Sequence, residues 1–174
     1  MIDDVVKLND ESRKLAERIV TVFTSAGMMI ATAESCTGGL IAGMITEVAG
    51  SSNVLDRGFV TYSNEAKIEM IGVKAATLDA HGAVSKQTAS EMALGALKGS
   101  NAHYAVSVTG IAGPGGGSDE KPVGLVWMGL SSPSGGIETT RLLWEPTWSR
   151  ELIRAATVHA ALGALLDRLA ENSD

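Results

Sequence analysis

A short apolar run, Met28 to Ala33, leads directly into Glu34-Ser35-Cys36-Thr37-Gly38-Gly39. Beyond it, Leu40, Ile41, Met44, Ile45 and Val48 recur at helical spacing. The succession reads as buried strand, tight turn and amphipathic helix. Thr37 is expected as the N-cap, because its hydroxyl can accept from the unpaired amides of a first turn. Ser35 then sits at the positive end of the helix. Gly38 and Gly39 let a ligand approach the backbone closely, and free amides there attract negative charge. The turn has three readings. It is an ordinary strand–helix connection with Ser and Gly serving the backbone, a non-covalent phosphate cradle, or a covalent serine site. The last requires a base supplied from elsewhere in the chain.

The remaining segments extend the same alternation. Leu15, Ile19, Val22 and Ala26 mark one face of a first helix ended by Gly27. Phe59–Tyr62 reads as a second strand, followed by a short helix capped by Asn64 and closed by Gly72. Ser85 caps a helix running through Leu97, with Ala89, Met92, Ala93 and Ala96 inward. Tyr104–Thr109 is a buried strand, and a second glycine-rich loop runs from Gly110 through Gly113 to Gly117. Val123–Leu130 and Ile137–Leu143, separated by Ser-Pro-Ser-Gly-Gly, form an expected antiparallel hairpin. A last amphipathic helix covers Ser149 to about Leu169. The expected architecture is one domain, 1–174, with three α/β/α layers around a mixed, mostly parallel sheet ending in the hairpin. Aromatic residues are 4% of the chain, so Ala, Val, Ile, Leu and Met must fill the core.

Sites in such sheets gather at the carboxyl ends of strands. Ser35, Tyr62 and Thr109 each lie just past an expected strand end, which points to one shared pocket. Lys67 is the candidate base: in the first turn of its helix, the macrodipole disfavours its proton. The competing reading is a surface lysine between Glu65 and Glu69. Tyr62 is either a proton relay and holder of the Ser35 hydroxyl, or a half-buried anchor with a wet hydroxyl. Cys36 is a rival nucleophile, although no histidine is near it in sequence. Arg141, Arg150 and Arg154 are either solvated and paired, or one of them meets an anionic ligand.

Several function classes are disfavoured. The net charge of −6 argues against a broad nucleic-acid footprint but not against a small anion. No apolar stretch approaches the ~18 residues of a membrane span, and the acidic start at Asp3 and Asp4 is unlike a signal peptide. One cysteine excludes an internal disulfide framework and a Cys-based zinc site, and makes a cytoplasmic setting the default. His81, His103 and His159 lack metal-ligand spacing and read as structural, so no metal is expected. Gly110-x-x-Gly113-x-x-Gly116 is not the dinucleotide fingerprint, and no P-loop element occurs. The second glycine loop can still offer amides to a phosphate or carboxylate. Trp127, Trp144 and Trp148 read as core or interface, and the low aromatic content leaves room for a homo-oligomer.

Five segments resemble the CinA C-terminal-domain family, whose stand-alone members are nicotinamide-nucleotide amidohydrolases. They are Thr32-Ala33-Glu34-Ser35-Cys36-Thr37-Gly38-Gly39, Gly58 through Lys67, His81-Gly82-Ala83-Val84-Ser85, Ser107 through Pro114, and Glu120-Lys121-Pro122-Val123-Gly124. The resemblance implies hydrolysis of the carboxamide of nicotinamide mononucleotide to nicotinate mononucleotide and ammonia, without a cofactor. It implies Ser35 as nucleophile, activated by Lys67 and Tyr62, with Thr109-Gly110 lining the same pocket. Amides near Cys36–Gly39, or at Gly110, would hold the oxyanion. Gly113 and Arg150 are the further substrate-binding candidates. Many relatives carry Gly-Asp-Arg where this chain has Trp148-Ser149-Arg150, and Gly115 replaces a larger residue. The alternatives are a non-catalytic nucleotide-binding module and an amidase of another small carboxamide.

Overall fold

The computed structural model describes residues 2–132 and 136–171. The elements are α1 (Ile2–Ala26), β1 (Ile30–Glu34), α2 (Leu40–Thr46), β2 (Leu55–Val60), α3 (Asn64–Ile71), α4 (Ala75–His81), α5 (Lys86–Lys98), β3 (Tyr104–Gly110), β4 (Leu125–Ser131), β5 (Ile137–Leu143) and α6 (Arg150–Glu171). The five-stranded sheet has the order β2-β1-β3-β4-β5. β1 runs parallel to both β2 and β3, while β3, β4 and β5 pair antiparallel. β4 alone therefore opposes the other strands, as a sheet with a terminal hairpin requires. Of the hairpin's connecting segment, residues 133–135 lie outside the described residues.

Helices α1, α2 and α6 cover one face of the sheet and α3, α4 and α5 the other. Strand alternation sends Ile30, Val106, Val108, Val126, Met128 and Leu130 to the first face, against Ile19, Phe23, Ile41, Ile45, Ile153 and Leu162. On the second face the strands present small residues, and α5 lies close upon them. The Ser107 hydroxyl donates to the Ala89 carbonyl (2.6 Å) and that of Ser131 to the Ala93 carbonyl (3.1 Å). A Cβ at Gly129 would stand 2.5 Å from the Ala89 oxygen. Helix α3 is seated in turn against α5, where a Cβ at Gly95 would come within 1.8 Å of the Ile71 carbonyl oxygen. That contact sets the height of α3 above the sheet, and with it the position of Lys67.

Two boundaries differ from expectation for local reasons. Helix α4 is short, has no side-chain cap and buries only Leu78, too little apolar periodicity to be read from sequence. β2 stops at Val60 rather than Tyr62, and its last pairing with β1 is Val60 against Glu34. Trp144 and Trp148 stack with ring centroids 5.9 Å apart, packed against the core. Among the described residues, no helix is long and apolar enough to cross a membrane.

Candidate active site

β1 ends at Glu34, and the Ser35 amide still donates to the Val108 carbonyl of β3 (3.0 Å). The chain then turns sharply, with the Gly38 amide donating to the Ser35 carbonyl (3.1 Å). Gly38 and Gly39 have φ of 63° and 97°, a backbone region open to glycine and strained for other residues. Thr37 is not the N-cap of α2. Gly39 occupies that position, and the cap is the fully buried carboxylate of Glu34. It accepts from the amides of Gly39 (3.0 Å), Ile41 (3.1 Å) and Ala42 (2.9 Å) and from the Thr37 hydroxyl (2.6 Å). Two carboxylate oxygens can serve three amides and complement the helix dipole, which one hydroxyl cannot. The Gly39 amide is thus occupied. Among the described residues the Thr37 amide donates to no protein acceptor, and the Cys36 amide to none but its own sulfur.

Lys67 reaches this turn from α3. The N-cap of α3 is Ser63, one residue before the expected Asn64, and its hydroxyl accepts from the Ala66 amide (3.0 Å). Lys67 remains in the first turn but is not a surface residue: it is 1% exposed. Its Nζ lies 2.8 Å from the Thr61 carbonyl oxygen, 3.2 Å from Ser35 Oγ and 3.5 Å from the carbonyls of Tyr62 and Ser63. Burial pulls its pKa below the ordinary lysine value, against weaker opposing charges at Cys36 and Glu65. A neutral amine so placed donates its two hydrogens to carbonyls and turns its lone pair toward the Ser35 hydroxyl. That is the geometry of a nucleophile beside its base.

Cys36 is buried, and desolvation pushes its thiol up to about 12, with the Glu34 charge adding to the shift. Only the thiolate is a strong nucleophile, and burial of this kind favours the thiol. The Tyr62 phenol is largely exposed and accepts from Arg150 Nη2 (3.0 Å); what Tyr62 brings to Lys67 is its carbonyl. Arg150, the first residue of α6, also donates to the Gly113 carbonyl (2.8 Å), joining the β2–α3 loop to the second glycine loop. Thr109 is buried, its hydroxyl donating to the Ala83 carbonyl (2.7 Å). Gly110 is required by β4, since a Cβ there would lie 2.5 Å from Val126 Cγ2.

Sequence reasoning missed two residues. Glu34 stands in the sequence only as part of a motif, although strand alternation places it on the inward face with Ile30 and Thr32. For Arg154 the sequence offers only a solvated or paired cation or a contact to an anionic ligand, not a grip on the backbone of the turn. Its Nε and Nη2 donate to the carbonyls of Cys36 (3.1 Å) and Thr37 (2.9 Å). Its spacing of four from Arg150, on a helix opening beside the turn, is the signal that sets both on one face.

A family model described as the CinA C-terminal domain matches residues 12–169. The nicotinamide-nucleotide amidohydrolase PncC of Escherichia coli K12 is 47% identical over 165 residues, covering 95% of this chain and 99% of that protein. The protein of the same name from Shigella flexneri is 46% identical over 167 residues, with the same coverage. Among solved structures, the competence/damage inducible protein CihA from Agrobacterium tumefaciens superposes with a TM-score of 0.88 at 55% identity, over 90% of this chain and 94% of that one.

Proposed function

The chain belongs to the CinA C-terminal domain family, and from that premise we propose that it hydrolyses the carboxamide of nicotinamide mononucleotide to nicotinate mononucleotide and ammonia. The observation that carries the reading is the contact, at 3.2 Å, between Nζ of the buried Lys67 and Oγ of the half-buried Ser35.

Ser35 Oγ attacks the carboxamide carbon as neutral Lys67 takes the hydroxyl proton. The carbonyl oxygen becomes an oxyanion and is received by the amides of Cys36 and Thr37, the two in the turn that no carbonyl or carboxylate takes up. A single such donor typically contributes ~10²–10³ in rate. The C–N bond breaks, Lys67 returns its proton to the departing nitrogen, and ammonia leaves an acyl ester on Ser35. Water then attacks that ester with Lys67 again as base, releasing the nicotinate and restoring the hydroxyl. Tyr62 holds Arg150 through its phenol, and Arg150 faces the substrate phosphate beside the Gly113 loop. The cycle uses no cofactor or metal. A cytoplasmic setting, where such mononucleotides occur, suits the single buried thiol.

The test is ammonia release from the mononucleotide by purified, chelator-treated protein. Turnover is expected in the wild type and its almost complete loss in Ser35→Ala and Lys67→Ala, both folded. Full turnover in Ser35→Ala removes the nucleophile. Binding without turnover in the wild type makes the protein a non-catalytic module. Faster release from free nicotinamide than from the mononucleotide assigns it another carboxamide.

A further inference from the structure

Glu34 is fully buried, and among the described residues no lysine or arginine pairs with it. Five donors converge on its two oxygens: Thr32 Oγ1 (3.1 Å) and the Ala42 amide on Oε1, and Thr37 Oγ1 with the amides of Gly39 and Ile41 on Oε2. A buried carboxylate without a counter-ion is costly, and a neutral cap would stabilise a seven-residue helix more simply. What this arrangement adds is control of the turn. By occupying the amides of Gly39, Ile41 and Ala42, it leaves those of Cys36 and Thr37 as the donors open to substrate.

The same residue reaches the base. The Glu34 carbonyl accepts from the Thr61 amide (2.9 Å), and the Thr61 carbonyl accepts from Lys67 Nζ (2.8 Å). Opposite Glu34, Arg154 holds the Cys36 carbonyl (3.1 Å). In a planar trans peptide the Cys36 carbonyl and the Thr37 N–H point in opposite directions, so anchoring one aims the other. The Thr37 unit is therefore gripped through its hydroxyl on one side and its preceding carbonyl on the other.

We infer that Glu34 is a positioning residue for acyl transfer, which acts through Thr37 and the first turn of α2 to hold the oxyanion-binding amides in register with Ser35. This rests on the amidohydrolase reading. In Glu34→Gln the new NH₂ group must face a backbone amide on either oxygen, and an amide cannot reverse to accept it.

The test measures ammonia release and thermal unfolding for wild type, Glu34→Gln and Thr37→Val. Glu34→Gln should lower kcat by ~10²-fold, the usual effect of a displaced catalytic geometry. KM and the midpoint of the acid limb, which report binding and Lys67, should stay at wild-type values. Thr37→Val removes one donor while keeping the amide, and should lower kcat several-fold in the same pattern; it decides the matter if Glu34→Gln does not fold. Wild-type kcat in either folded variant overturns the inference, as does a loss that appears in KM with a shifted acid limb. The rate at which a sulfonyl fluoride labels Ser35, read by mass, separates this from the parent reading. A wild type labelled at Ser35 but releasing no ammonia removes the mononucleotide reading alone. The inference then holds if both variants slow labelling and falls if neither does.

Discussion

Lys67 combines a charge-bearing type with a site that rejects the charge. Its surroundings are carbonyls and a hydroxyl, and burial lowers its pKa from 10.5. The rate of ammonia release should therefore rise with pH along a limb set by a group titrating below an ordinary lysine. Lys67→Ala abolishes that limb along with the activity. The same shift affects stability. Between the lowered value and 10.5 the unfolded chain binds the proton that the folded chain has lost, so this residue's contribution improves as pH rises through that window. Chemical denaturation of wild type and Lys67→Met at pH 7 and pH 10 should show the stability difference moving in favour of the wild type at the higher pH. Cys36 behaves in the opposite sense: its thiol, pushed up to about 12 and buried, should resist iodoacetamide at pH 8 in the folded protein and react once unfolded. Ser35 and Lys67 were legible in the sequence because a strand–helix turn and a first-turn lysine are local patterns. Glu34 and Arg154 were not, because their effect is on backbone groups whose occupancy appears only when the turn is built.

Among the elements, the packing of α3 on α5 connects stability to chemistry. Gly95 lets the Ile71 carbonyl approach so closely that an added methyl would stand 1.8 Å from its oxygen. Backbone cannot yield as a flexible side chain can, so Gly95→Ala must lift the end of α3. The cost should be about 1–3 kcal/mol, as for other overpacked positions. Lys67 lies one turn before Ile71 and would move away from Ser35, so kcat should fall by ~10²-fold in protein that remains folded at the assay temperature. Gly43 in α2 is the converse case. A Cβ there meets nothing within 4 Å, and replacing a helical glycine with alanine should raise stability by about 1 kcal/mol, read as an upward shift in Tm. Helical and strand periodicity made most elements readable, and the expected hairpin pairs as anticipated. The close approach of α5 was not readable, since Ala, Ser and Gly in a strand give no sign of which helix will press on them.

Over the whole molecule, the order β2-β1-β3 makes the carboxyl ends of three neighbouring strands open on one side, beneath the start of α6. Strand order cannot be read from local pattern; only the expectation that sites collect at those ends allowed Ser35, Tyr62 and Thr109 to be grouped beforehand. The chain carries a net charge of −6, yet Arg150 and Arg154 both reach this edge, and among the described residues neither pairs with a carboxylate. A local positive field on a negative protein favours an anionic substrate at its one useful place, and salt screens it. KM for the mononucleotide should therefore rise with ionic strength, whereas that for the phosphate-free riboside, whose only charge is the cationic pyridinium, should not rise. Arg150→Met sharpens the test. A hydrogen bond to a charged group contributes about 1.5–3 kcal/mol, so losing a phosphate contact should raise KM for the mononucleotide by roughly 10- to 100-fold. Arg150 also ties Tyr62 to the Gly113 loop, and loosening that tie would harm both substrates alike. An equal loss on mononucleotide and riboside would thus make Arg150 a brace between loops, and a loss confined to the mononucleotide would make it the phosphate's partner.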